Sequence, residues 1–125
     1  KREIQSINFF GYIATKAAYD NGALFVEELK KYLLSNIEFT KNYLKKNNSK
    51  IDFKPPEATY LLWLDFSRYN LSHNEIKNIL LTKSKIALND GVSFGNNANG
   101  YFRLNLALSQ NSLEIALSQL SKEFL

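Results

Sequence analysis

Cysteine and methionine are both absent from this chain of 125 residues, which holds one histidine, two prolines and five glycines. Without cysteine there are no disulfides, no thiolate metal ligands and no cysteine nucleophile. A single imidazole, His73, argues against an imidazole-rich zinc site or a Ser-His-Asp triad on this chain. The missing methionine leads to an expectation about origin: a chain opening Lys1-Arg2-Glu3 is processed, truncated or excised from something longer. No run approaches the roughly 18 apolar residues of a membrane span, and the opening residues do not read as a signal peptide. The default expectation is therefore a cytoplasmic protein without a membrane partner.

What is present is enough for one compact domain, with 45% apolar and 22% charged residues. Disorder is excluded by that apolar content. The net charge of +4 comes from 13 lysines and only three arginines, beside 15 asparagines. This pattern reads as a codon bias toward Lys and Asn, not as a nucleic-acid footprint. The densest basic stretch, residues 41–54, has no arginine and reads as a solvated helix end.

Along the chain, residues 3–7 read as the tail of one helix and residues 10–19 as a second, stopped at Asn21-Gly22. The strongest periodicity lies at 23–46, where Val26, Leu29, Leu33, Ile37 and Leu44 recur at three-, four- and seven-residue steps. Phe25, Tyr32 and Tyr43 widen that stripe, and Asn47-Asn48-Ser49 ends it. Residues 51–54 predict a short strand ended by Pro55-Pro56, and 59–66 a central strand covered on both faces. Ser72-His73-Asn74-Glu75 is a capping box before a helix carrying Ile76, Ile79 and Leu80. Residues 86–88 predict a strand, 89–100 a glycine-rich loop and 101–107 a further strand. A last helix starts in a second capping pattern at Asn111 and Glu114, with Leu113, Ala116, Leu117, Leu120 and Phe124 as its buried stripe. Four short strands with helices stacked on them make an α+β fold, a two-layer sandwich of a small sheet and helices. One sheet face is then left to pair with something else.

Chemistry is best sought on the last strand. Alternation puts Phe102, Leu104 and Leu106 on one face, and Tyr101, Arg103 and Asn105 on the other. A guanidinium in mid-strand needs an anion, because an unpaired buried charge is costly. That anion is either an internal carboxylate, with Asp65 and Asp90 as candidates, or a ligand carboxylate or phosphate held bidentately. The loop containing Asn89, Asp90 and Gly91 runs straight into this strand, but it lacks the spacing of a phosphate-binding loop. Trp63 reads as core. His73, at a helix start, reads as exposed and incidental.

Three stretches, PEATYLLWLDF (56–66), IALNDGVSFG (86–95) and GYFRLNLA (100–107), occur in an order and spacing that carries a family resemblance. Together they resemble the C-terminal part of class I/II aminotransferases, pyridoxal-phosphate-dependent enzymes of fold type I. The nearer likeness is to the cystathionine β-lyase-like branch, whose members cleave C–S bonds. Phe10-Gly11, Ala17-Ala18-Tyr19 and LKKYLLSN (29–36) resemble the helical stretch that precedes that domain. The resemblance implies a helical linker at 1–48 and a small α/β domain at 49–125, joined to a large domain outside this chain. It implies that Arg103 binds the α-carboxylate of an amino-acid substrate, with Asn89, Gly91, Tyr101 and Asn105 as supporting positions. It also implies a pyridoxal 5'-phosphate cofactor and a homodimer for the whole enzyme. The family's Schiff-base lysine would precede Lys1, and Lys16 on the linking helix does not match it, so this chain alone is expected to be inactive. The alternative, from residues alone, is a stand-alone α+β module binding small amino acids or RNA. Tyr101-Phe102-Arg103 resembles a base-stacking strand, but no ribonucleoprotein motif accompanies it.

Overall fold

A computed structural model describes residues 8–47 and 50–124, the Asn96 side chain excepted. The expected helix tail at 3–7, and residues 48 and 49 of the expected helix stop, lie outside the described residues. The element order is α1 (Phe9–Asn21), α2 (Ala23–Lys46), β1 (Asp52–Phe53), β2 (Leu61–Asp65), α3 (His73–Thr82), β3 (Asn89–Asp90), β4 (Tyr101–Asn105) and α4 (Gln110–Glu123). The strands form one antiparallel sheet in the order β1-β2-β4-β3. This is the expected α+β architecture.

The chain divides into two compact units, residues 1–32 and 33–125, with the boundary inside α2. In the first unit, the Asn8 side chain caps α1 by accepting from the Gly11 N–H at 2.7 Å. No residue of α1 is buried, and Phe9, Phe10 and Tyr19 are largely exposed. The apolar stripe of α2 changes along its length. Ile37 and Leu44 are buried, whereas Phe25, Val26, Leu29 and Tyr32 are exposed.

In the second unit, the apolar face of the sheet meets the helices. Leu62 and Leu64 of β2, Phe102 and Leu104 of β4, and Leu106 join Ile76 and Leu80 of α3 and Leu113, Leu117 and Leu120 of α4 in one core. Each fully buried aliphatic side chain there contributes about 1.5–3 kcal/mol of transfer free energy. Phe66, Phe102 and Phe124 interlock edge-to-face, with Phe66 centroids 5.7 Å and 4.9 Å from the other two. Asn36 of α2 is fully buried, and its Nδ2 donates to the carbonyls of Leu106 (2.8 Å) and Leu108 (3.0 Å). That fastens the helix to the exit of β4.

Four local expectations need correction. The central strand begins at Leu61, because Thr59 takes a left-handed φ of 70°, and it is not covered on both faces. Leu61, Trp63 and Asp65 are only half-buried. A continuous apolar run does not reveal how many faces are covered; the helices pack on one. The strand placed at 86–88 forms instead at Asn89–Asp90. Lys85 turns left-handed at φ 54°, and the Ile86 N–H bonds back to the Leu80 carbonyl at 2.8 Å, so the chain is still folding back on the end of α3 here and joins the sheet only at Asn89. The strand expected at 101–107 stops at Asn105, whose Oδ1 turns the chain by accepting from the Ala107 N–H at 2.8 Å. Finally, α4 is capped by Ser109, whose Oγ accepts from the Ser112 N–H at 3.2 Å; Asn111 lies inside the first turn. The capping box at Ser72 and Glu75 is formed as expected.

Candidate functional site

Arg103 sits in mid-strand on β4, directly across from Trp63 of β2 and Asn89 of β3. Alternation sends its side chain to the face opposite the core, beside Tyr101. Neither carboxylate considered as its partner pairs with it. Asp65 accepts from the Tyr101 hydroxyl (2.9 Å) and the Ser67 N–H (2.8 Å). Asp90 accepts from His73 Nε2 (2.8 Å) and Lys77 Nζ (2.9 Å). Among the described residues Arg103 has no ion pair. Its NH2 donates to Asn89 Oδ1 at 3.2 Å, and its Nε is buried with no hydrogen-bond partner. By contrast, Arg68 pairs with Asp52 at 2.8 Å.

The guanidinium is faced by an aromatic ring. Its Cζ lies 4.4 Å from the centroid of Phe94, within cation–π range, and Phe94 meets Trp63 edge-on at 5.4 Å. Trp63, Phe94, Gly95, Asn97, Ala98 and Tyr101 line an open cavity of about 660 Å³, and its wall residue Phe94 is the ring that faces the guanidinium. The expectation that Trp63 is core is therefore corrected: it forms a wall of the open face. Phe94 was not singled out by the sequence, since an aromatic residue in a glycine-containing loop carries no periodic signal.

The loop that delivers Phe94 is tightly placed. Gly91 is buried where a Cβ would come within 2.3 Å of the Tyr101 carbonyl oxygen, so only glycine fits. Gly100 takes a φ of +82° and closes the loop into β4. Tyr101 spends its hydroxyl on Asp65, and Asn105 its oxygen on its own turn. Of the supporting positions named from the sequence, Asn89 contacts the arginine directly, while Gly91 and Tyr101 shape its surroundings.

The carboxylates around the site are ionised more readily than usual. A hydrogen bond from Lys77 is the main cause holding Asp90 below its ordinary value of 3.8; His73 and the Val92 N–H assist, against the upward push of burial. For Asp65 burial pushes upward, but the bonds from Ser67 and Tyr101 outweigh it and the net direction is down. The same contact raises the Tyr101 phenol.

His73 was expected to be exposed and is not. Its side chain is only 11% exposed. Nδ1 accepts from the Gly100 N–H at 3.1 Å, and the ring stacks on Phe102 at 4.6 Å with a 7° interplanar angle. Burial of a polar residue on a helix N-terminus depends on which loop crosses it, and local sequence does not report that.

No helix among the described residues is long and apolar enough to cross a membrane, and no cluster of three or more potential metal ligands occurs among them. No family model matches the chain. Individual proteins do. The chain is similar to cystathionine β-lyase PatB of Bacillus subtilis (strain 168), at 34% identity over 91% of this chain and 30% of that protein. It is likewise 34% identical to a cystathionine β-lyase of Corynebacterium glutamicum, over 92% of this chain and 30% of that one. Among solved structures, a pyridoxal-phosphate-bound protein from Clostridium difficile 630 assigned to the aminotransferases superposes with a TM-score of 0.89 at 45% identity. That match covers 93% of this chain and 30% of the other. The chain thus spans about 30% of the length of the curated relatives it matches.

Proposed function

The chain belongs to the family of the pyridoxal-phosphate-dependent aminotransferases and cystathionine β-lyases, and from that premise we propose that Arg103 binds the α-carboxylate of an amino-acid substrate. On this reading the chain is the C-terminal part of a longer, homodimeric, cytoplasmic enzyme. Residues 1–48 link to a large domain, and 49–125 form the small domain. The observation that carries the reading is the unpaired guanidinium. A cation whose Nε is buried without an acceptor, while both nearby aspartates are engaged elsewhere, is placed to receive an anion from outside the chain. The apolar side chains exposed on α1 support the linker reading, since the rest of a longer protein would cover them.

The residues present do not fit the cofactor itself. The open sheet face carries Leu61, Trp63, Asp65, Tyr101, Arg103 and Asn105, with no lysine, and Lys16 on α1 is paired with Asp20. Pyridoxal phosphate supplies the electron sink in such enzymes; what this chain contributes is substrate binding and orientation. A bidentate guanidinium fixes the plane of a carboxylate and with it the direction of the neighbouring Cα–H bond. Phe94 and Trp63 keep water from one side of the pair, which strengthens it.

The test uses the full-length enzyme. Arg103→Ala should lower kcat/KM for the amino acid about a hundredfold while cofactor binding is retained. The corresponding amine, lacking the α-carboxylate, should show no such loss. Equal activity of the variant on the amino acid would make Arg103 structural. The isolated chain is expected to form no stoichiometric lysine adduct with pyridoxal phosphate, read by absorbance.

A further inference from the structure

We infer that His73 is a positioning residue for the Arg103 site, one imidazole tying together the two ends of the loop that carries Phe94. The kinetic part of this inference rests on the function proposed above; the structural part does not. Nδ1 accepts from the Gly100 N–H at 3.1 Å, where the loop leaves for β4. An accepting Nδ1 places the ring proton on Nε2, which donates to Asp90 Oδ1 at 2.8 Å, where the loop begins. The ring lies flat on Phe102, the neighbour of Arg103 on β4. Between the two tied ends hangs Phe94, against the guanidinium at 4.4 Å.

The two bonds are not equivalent. Asp90 has other donors, Lys77 Nζ at 2.9 Å and the Val92 N–H at 3.0 Å. Gly100 is buried, and His73 Nδ1 is the acceptor its N–H has among the described residues. Losing the second bond strands a buried donor, whereas losing the first leaves a carboxylate still served. Of the two imidazole bonds, the one to Gly100 therefore matters more to the loop, adding to the Phe66 N–H bond on the Gly100 carbonyl and the pairing of Asp90 with Phe102.

That asymmetry can be measured on the full-length holoenzyme with three variants. His73→Phe keeps the stack on Phe102 and removes both bonds. His73→Asn offers an oxygen near the Nδ1 position, and His73→Gln reaches the Nε2 position instead. Hydrogen exchange at the Gly100 amide should quicken about tenfold in the Phe and Gln variants. KM for the amino acid should rise several-fold in both, with kcat within about twofold of wild type. His73→Asn should restore slow exchange and bring KM back toward wild type. If Asn and Gln variants exchange alike, or the Phe variant stays protected, the inference is wrong. Should the Phe variant fail to fold, the Asn–Gln pair still decides. A His73 series with unchanged KM, beside an Arg103→Ala enzyme that has lost its substrate, refutes the kinetic role of His73 alone. An Arg103→Ala enzyme with normal KM removes the carboxylate reading, and Gly100 exchange still judges His73.

Discussion

Leu62, Leu64, Phe102 and Leu104 point to one side of the β2–β4 ladder and are sealed beneath helices. Trp63, Asp65, Tyr101 and Arg103 come from the same two strands, point to the other side and remain half-buried. The closed face is apolar and packed beneath helices; the open face holds polar groups, one of them a cation without a counter-ion among the described residues. The difference teaches where to look for a ligand. Packing has satisfied one side of the sheet, and the other still carries an unmet electrostatic demand. The two units of the chain differ in the same sense, since residues 33–125 own a core while α1 buries nothing.

The comparison breaks most visibly at its closed face. Leu64→Ala should cost about 3–4 kcal/mol of stability through the cavity it leaves, read by urea unfolding. On the open face Arg103→Ala should do the reverse. Its roughly hundredfold loss of kcat/KM should come with stability within about 1 kcal/mol of wild type, because no ion pair is broken and only the Asn89 hydrogen bond and the Phe94 ring contact are lost. A large stability loss there would make the two faces alike and Arg103 a structural residue. Phe94→Ala should cost about 1 kcal/mol or less, the worth of a half-exposed ring contact and a cation–π pair.

The smallest effect is on pH dependence. Asp90 titrates below its ordinary value of 3.8 in the folded chain, chiefly because Lys77 donates to it. Its contribution to stability is complete above 3.8 and disappears as pH falls through the lower folded value. Asp90→Asn should therefore flatten part of the acid limb of the stability curve. The difference from wild type isolates this group from Asp65 and Glu75, which are also lowered.

Much of this was legible in the order of residues. The bounds of α2, the Ser72–Glu75 capping box and the alternation of Phe102, Arg103 and Leu104 follow from spacing, because each depends on neighbours within about one turn or two strand positions. The family resemblance was legible too, and relatives bear it out. Other features were not. The third strand slid from 86–88 to Asn89–Asp90 because β4 pairs with those residues, while a left-handed Lys85 and the Ile86 N–H bond to the Leu80 carbonyl turn the earlier ones back against the end of α3. The α4 cap moved to Ser109 beside a Leu108 carbonyl held by buried Asn36.

What the sequence determined alone was therefore local and periodic: which segments are helices, which strand residues share a face, and that Arg103 stands away from the apolar side. Only the tertiary structure decided who meets whom. It gave Asp65 to Tyr101, gave Asp90 to Lys77 and His73, set Phe94 over the guanidinium and left Arg103 without a carboxylate among the described residues. The physical reason is range. Helix and strand periodicities act over a few residues, whereas His73 reaches Gly100 across 27 positions and Asn36 reaches Leu106 across 70. Contacts of that span exist only once the core has closed around them.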